Sequence, residues 1–280
     1  MIKLVLKRKI NKTLIYCFFV LLAVICIVPV YMLLINATRE TVEINRGFSL
    51  IPGTNILNNW RGINARGINF ARGIVNSTFL AFSTTFLSVY FALLTAYAIK
   101  VYNFRFKKQF FVFIVAMTMI PGQLYIIGFF QYVSTLGLLN SYIPLVIPSI
   151  AASGTVFFAK QYFDASLVPE IIQAARIDGA SEFQIFNKIA LPIAAPGAFT
   201  MGIFAFVGSW NAFLGPFMLL TDQSRFTLPL MMAQLNSDPF FTDFGQIYLG
   251  MAVTLLPVII VYAIFSKYII SGISLGSSKG

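Results

Sequence analysis

The sequence predicts an all-α integral membrane protein with six transmembrane helices and one polar helix–turn–helix between the fourth and the fifth. Three observations carry this reading. The chain is too apolar for water, its apolar residues fall into six long runs, and residues 169–192 form a polar island between two of them. Of the 280 residues, 58% are hydrophobic and 10% charged, and the mean hydropathy is +0.83. Soluble domains carry roughly a quarter charged residues. Lipid, not water, must surround most of these side chains.

The runs are 14–35, 74–99, 109–131, 142–162, 193–220 and 246–265. Each can cross roughly 30 Å of hydrocarbon as a helix. The first follows Lys3, Lys7, Arg8, Lys9 and Lys12 and is itself uncharged. It exceeds the roughly 7–15 residues of a signal-peptide core and lacks a small-residue cleavage site, so it reads as a retained first span. Pro29 can kink that span without ending it. Pro121-Gly122-Gln123 falls inside the third. Residues 37–73 are polar and contain an echo, Arg61-Gly-Ile-Asn and Arg66-Gly-Ile-Asn, too brief for a repeat architecture. The chain reads as one transmembrane domain over 1–280.

Six spans place both termini on one side, and charge chooses the side. The N-terminus, the 100–108 loop, the 160–190 region and the tail hold 14 of the 20 basic residues. The positive-inside rule puts them, and the island, in the cytoplasm. The 6 basic residues on the other side are all arginine: Arg39, Arg46, Arg61, Arg66, Arg72 and Arg225. Arginine grips carboxylates bidentately, which suits an acidic binding protein or an acidic sugar. Interfacial anchoring and loop packing are the plainer reading. Asp222, Asp238 and Asp243 mark 221–245 as a loop to touch a soluble partner on that side.

Other classes of function fit poorly. The formal charge of +11 belongs to loops of a membrane protein, so nucleic acid is not the partner. There is no histidine and no glycine loop ending in Gly-Lys-Ser/Thr. Cys17 and Cys26 stand nine residues apart on one helix, about 13 Å, and cannot bridge. No nucleophile–base or metal constellation is present, so neither catalysis nor a resident cofactor is expected. A self-sufficient carrier or channel would need ionisable groups within its spans, and no charged residue lies clearly inside the six runs.

The island reads as two short helices joined at Asp178-Gly179. Pro169 suits a first helical position and Glu170 the positive helix end. Ala174 and Ala175 let another surface approach closely. Gly179 fits a helix-ending position with positive φ. Ser181-Glu-Phe-Gln184 has capping-box spacing. Phe183, Phe186 and Ile189 form one apolar stripe, and Leu191-Pro192 ends the second helix. Such a knob fits a groove on a soluble protein, or is an ordinary connector at the interface.

Here the chain resembles a known family. Gln173-Ala174-Ala175, three residues, Gly179, nine residues and Ile189-Ala190-Leu191-Pro192 match the spacing of the EAA loop in permease subunits of binding-protein-dependent ABC importers. Ala-Ala-Arg-Ile-Asp-Gly-Ala-Ser resembles the carbohydrate branch, of the maltose-transporter type. Gln173 replaces the usual Glu of the motif. Met119-Ile-Pro-Gly-Gln123, Leu136-Gly-Leu-Leu-Asn140, Gly208-Ser-Trp-Asn211 and Gly272-Ile-Ser-Leu-Gly276 resemble family segments at similar positions. The resemblance implies a type I importer permease in the bacterial cytoplasmic membrane. It implies a second permease subunit, a distinct homologue, along with two ATPase subunits that hold the ATP and Mg, and an extracytoplasmic solute-binding protein. It also implies that 169–192 is the coupling loop, with Glu170, Gln173, Ala174, Ala175, Asp178, Gly179, Ile189, Leu191 and Pro192 as coupling residues. The substrate would be a sugar or oligosaccharide; a polyamine, glycerol phosphate or an oligopeptide is the alternative cargo.

A sugar path needs aromatic faces and hydrogen-bonding side chains at membrane depth, where polar groups face a cavity or another helix. Trp210, Asn211, Gln123 and Gln131 qualify, with Tyr125 as an aromatic neighbour. Helix-to-helix packing is the competing role for Trp210 and Asn211.

Overall fold

The computed structural model describes residues 2–237 and 242–277, with side chains for 12–237 and 242–266. Asp238 and the side chains of the 272–276 tail motif lie outside the described residues. All regular structure among the described residues is helical. The first helices are α1 (Ile2–Asn36), α2 (Thr41–Asn45), α3 (Ile56–Ala65) and α4 (Phe70–Val101). Then come α5 (Lys107–Thr118), α6 (Ile126–Thr135), α7 (Ile143–Val146), α8 (Ser153–Ser166) and α9 (Pro169–Ile177). The rest are α10 (Glu182–Ile185), α11 (Leu191–Ile193), α12 (Ala195–Trp210), α13 (Leu214–Leu219), α14 (Leu228–Leu235) and α15 (Phe244–Ser277).

By length and composition four helical segments can cross a membrane: Lys12–Asn36, Phe70–Val101, Ile143–Ser166 and Phe244–Ser266. Two bent pairs bring the number to as many as six. The expected third span is one such pair: α5 and the helix over Gly122–Thr135 meet at 87°. Pro121 supplies the reason, since it has no N–H to donate and biases Ile120 away from helical backbone. The expected fifth span also differs. Glu182–Ile193 meets α12 at 79°, and α12 stops at Trp210, with α13 separate. By contrast, Pro29 and Pro257 sit inside continuous helices, as lipid-embedded helices tolerate.

The chain forms two compact units, Met1–Phe70 with Met232–Leu255 and Ala71–Met231 with Leu256–Gly280. In the first, α1 exposes almost all its side chains from Lys12 to Val28. Its far end enters a polar knot. Arg39, 8% exposed, donates to Asn36 Oδ1 at 3.2 Å, Glu43 O at 2.6 Å and Gly47 O at 3.3 Å. Buried Asn59 donates through Nδ2 to Ala37 O and Arg39 O at 3.0 and 3.1 Å. Thr41 Oγ1 donates to Asp243 Oδ1 at 2.7 Å. Arg39 thus does the loop packing that is the plainer reading of the outer arginines, and Asp243 holds Thr41.

The second unit is organised by the latter half of α4. Ala92, Ala96 and Tyr97 pack with Ala159 and Phe163 of α8 and with Ala175, Ile185 and Phe186 of the island. Small residues let these backbones approach. Near the other end of α4, Asn76 Nδ2 donates to Ser224 O and Phe226 O at 3.0 and 2.9 Å. Asn140 adopts φ 56°, and its Oδ1 accepts from the backbone of Thr221 and Asp222. That gives Asn140 of the Leu136–Asn140 motif a loop-holding task.

Close approach makes one glycine irreplaceable in α12. A Cβ on Gly197 would stand 2.5 Å from the ring of Tyr162 on α8, whereas one on Gly202 would meet only Thr85 Cγ2, at 3.7 Å. Gly197→Val is expected to lower the melting temperature of the detergent-solubilised protein, by about 1–3 kcal/mol of overpacking. Gly202→Ala is expected to leave it within about 0.5 kcal/mol of the parent.

Candidate functional site

The island folds as its caps dictate. Pro169 begins α9 with Glu170 in the first turn. Gly179 takes φ +78°, which an L side chain rarely adopts. Ser181 Oγ accepts from Gln184 N at 3.4 Å, and the Gln184 side chain accepts from Ser181 N at 3.0 Å, completing the capping box. One of the expected features turns out otherwise. A π-helical segment, Phe186–Ala190, carries the chain through Leu191 and Pro192, and the helical run ends at Ile193, one residue past Pro192, with a 79° bend into α12. The expected stripe is split. Phe186 is buried at 1% and Ile189 partly buried, whereas Phe183 is 69% exposed.

The coupling residues divide into two sets. Ala175 is buried at 7%, Leu191 and Ile189 pack against the α4–α8 cluster, and Ala190 is fully buried. These form the floor. Glu170, Gln173, Ala174, Asp178, Gly179 and Pro192 are exposed or at the surface. Ile177 is also exposed, at 86%, as is Phe183 on the second helix, at 69%. Gln173 also lines a crevice of about 90 Å³ with Lys100 and Arg176.

Beside this surface lies a polar cluster that the sequence did not reveal. Glu182 accepts from Arg176 Nε at 2.6 Å and from the hydroxyls of Tyr102 and Tyr97 at 2.6 and 3.3 Å. The Arg176 guanidinium also stands 5.8 Å from the Tyr102 ring centre. One carboxylate therefore joins α9, α10 and the end of α4. Nearby, Asp164 of α8 pairs with Lys160 and, at 3.5 Å, with Lys100 of α4. Tyr97 and Tyr102 lie 85 and 80 residues from Glu182 in sequence, and no local pattern signals such a contact.

The path candidates are not brought together as a set. Gln123 and Tyr125 line a groove of about 310 Å³ with Phe129, Pro144, Pro148 and Leu214. Gln131 and Asn211 are exposed elsewhere. Trp210 is 1% exposed, and its ring stacks on Phe206, one turn earlier on the same helix, with centres 5.6 Å apart. Arg225 donates to Asn140 O, which assigns that arginine to loop packing.

The hydrogen bond from Arg176, then that from Tyr102, holds the Glu182 carboxyl below its ordinary value. A depressed folded-state value means that the stabilisation is present above the unfolded value and is lost as pH falls through the folded one. Hydrogen exchange over 176–185, corrected for intrinsic rate, is expected to stay flat from about pH 8 to about pH 5 and to rise only below about pH 4. Glu182→Gln is expected to raise it at neutral pH by no more than about fivefold, since the pair with Arg176 is exposed and weak.

Comparison with known proteins agrees with this geometry. Residues 85–275 match the family described as the binding-protein-dependent transport system inner membrane component. The chain is 33% identical to the arabinooligosaccharides transport system permease protein AraQ of Halalkalibacterium halodurans, over 94% of both chains. It is 30% identical to AraQ of Bacillus subtilis, again over 94% of both. It is 28% identical to the sn-glycerol-3-phosphate transport system permease protein UgpE of Escherichia coli, over 88% of this chain and 89% of that one. Its fold matches, with a TM-score of 0.80 and 20% identity, a chain in the crystal structure of a bacterial ABC transporter involved in the import of the acidic polysaccharide alginate; the match covers 93% of this chain and 96% of that one. A polar helix–turn–helix set among apolar spans, this fold and these relatives together make the chain a member of the binding-protein-dependent transport system inner membrane components, the permease subunits of ABC importers.

Proposed function

We propose that this permease carries a sugar or oligosaccharide inward across the bacterial cytoplasmic membrane, driven by separate ATPase subunits that dock on the 169–193 knob. The exposed surface of the knob carries the reading. Ile177 and Phe183 are 86% and 69% exposed beside Gln173 and Ala174, on a segment whose charge pattern places it in the cytoplasm. Apolar side chains of that size, grouped on a water-facing surface, fit a protein partner. The apolar floor beneath them seats the knob against α4 and α8.

Both termini share the cytoplasmic side with the knob. The chain holds no cofactor of its own, and ATP and Mg belong to the two ATPase subunits. A second permease, a distinct homologue, completes the path, and a solute-binding protein delivers cargo from outside. Carbohydrate cargo is supported by the arabinooligosaccharide relatives. Within this chain the groove of Gln123 and Tyr125 offers an amide and an aromatic face, the chemistry a sugar ring requires. The UgpE relative points to glycerol phosphate as the second reading, but Arg39 and Arg225 are committed to loop contacts.

Co-purification with the ATPase tests the docking reading. Ile177→Asp and Phe183→Asp are expected to remove the ATPase while the permease stays in the membrane, and Gly179→Val to do the same by straining the turn by about 1–3 kcal/mol. Retention of the ATPase in all three overturns it. Tyr125→Ala is expected to lower uptake of radiolabelled arabinooligosaccharide about tenfold with the complex intact, the effect of losing about 1.4 kcal/mol of contact. Trp210→Ala is expected to act on packing and lower the melting temperature.

A further inference from the structure

The two tyrosines of α4 raise a question that docking does not answer. The apolar floor already holds the knob in place, and the Arg176–Glu182 pair is too exposed, at 39% and 43%, to add much stability. Directional bonds at such a place constrain orientation more than they stabilise. Packed alanines and aromatic rings can slide or rock, whereas a carboxylate holding three donors, one from α9 and two from the end of α4, cannot do so without breaking a bond.

We propose that Glu182, held by Arg176, Tyr97 and Tyr102, is the positioning residue that makes the knob and the end of α4 move as one body when the ATPase pulls on the knob. The inference rests on the docking reading above. Arg176 closes α9 and Glu182 opens α10, so their pair spans the Gly179 turn and sets the angle between the two knob helices. Tyr97 and Tyr102 bring that fixed angle to α4. One turn along, Lys100 reaches Asp164 of α8, so the end of α4 grips acids on both neighbours. The motion then enters a helix whose middle, Phe82 to Leu93, lines an apolar cavity of about 330 Å³ together with α12 and residues 261 and 265. A tilt of α4 changes the shape of that cavity at membrane depth. Gln173 fits the same scheme. The buttressed carboxylate of the knob, Glu182, is tied to Arg176 and the two tyrosines, and the surface meets the partner without a charge at position 173.

The test uses the whole transporter in lipid nanodiscs, with the permease partner and ATPases that co-purify. Cys17 and Cys26 are replaced by alanine, and nitroxide labels are placed at Lys188 on the knob and Asn103 after α4, both exposed positions. Pulsed electron–electron resonance measures their separation without nucleotide and with ATP–vanadate. The parent is expected to give one distance in both states. Glu182→Gln and the milder Tyr102→Phe are expected to keep the parent distance without nucleotide and to shift or broaden it with ATP–vanadate. An unchanged distance in both states for both variants overturns the proposal, because the bonds then transmit nothing. A distance already altered without nucleotide in Tyr102→Phe overturns it too, because the cluster is then simply part of the fold. Absence of ATPase from the purified parent complex overturns the docking reading itself, and the joint with it.

Discussion

The contact of α4 with α8 and the island helices is the constraint on which the rest depends. In lipid, apolar side chains gain nothing by leaving a hydrophobic solvent, so helices associate where their surfaces fit closely. Ala92 and Ala96 on one side, with Ala159, Ala175 and Ala190 on the other, supply that fit. Gly197 does the same between α12 and Tyr162 of α8. Were these residues larger, the knob would have no floor and its exposed surface no fixed shape.

Polar groups in this chain then play a different part from the one they play in a soluble core. Arg39, Asn59 and Asn140 satisfy loop backbone where irregular chain must pack. Glu182 and Asp164 instead join helices to one another at the end of α4 that carries the knob. The division follows from burial. Well-shielded donors repay their desolvation only by meeting backbone acceptors, while half-exposed ion pairs set direction more than stability. A permease must move, and a joint of directional but weak bonds beside a tightly packed floor allows rigid-body motion without unfolding.

Much of this was legible in the residues. Pro169, Gly179 and Ser181 with Gln184 each have one physical use at their positions, and the helices form where those uses require. Other features were decided by packing. Phe183 and Phe186 read as one stripe, yet Phe186 is covered at 1% and Phe183 is left 69% exposed. Trp210 read as a sugar contact or a packing residue, and its burial against Phe206 is visible only in the fold. Pro121 was visible as an interruption, but the 87° angle it permits was not.

What the sequence by itself determined is whatever depends on neighbours along the chain. It set the apolar runs that demand lipid, the caps and the left-handed turn of the island, and the spacing that marks the family. Only the tertiary structure decided which carboxylate is occupied and which surface is free. Tyr97 and Tyr102 reach Glu182 across 85 and 80 residues, and Ile177 stands exposed while Ala175 is covered. The reason is that hydrogen bonds and close packing act through space over a few ångströms, and helices that share such a contact need share nothing in sequence.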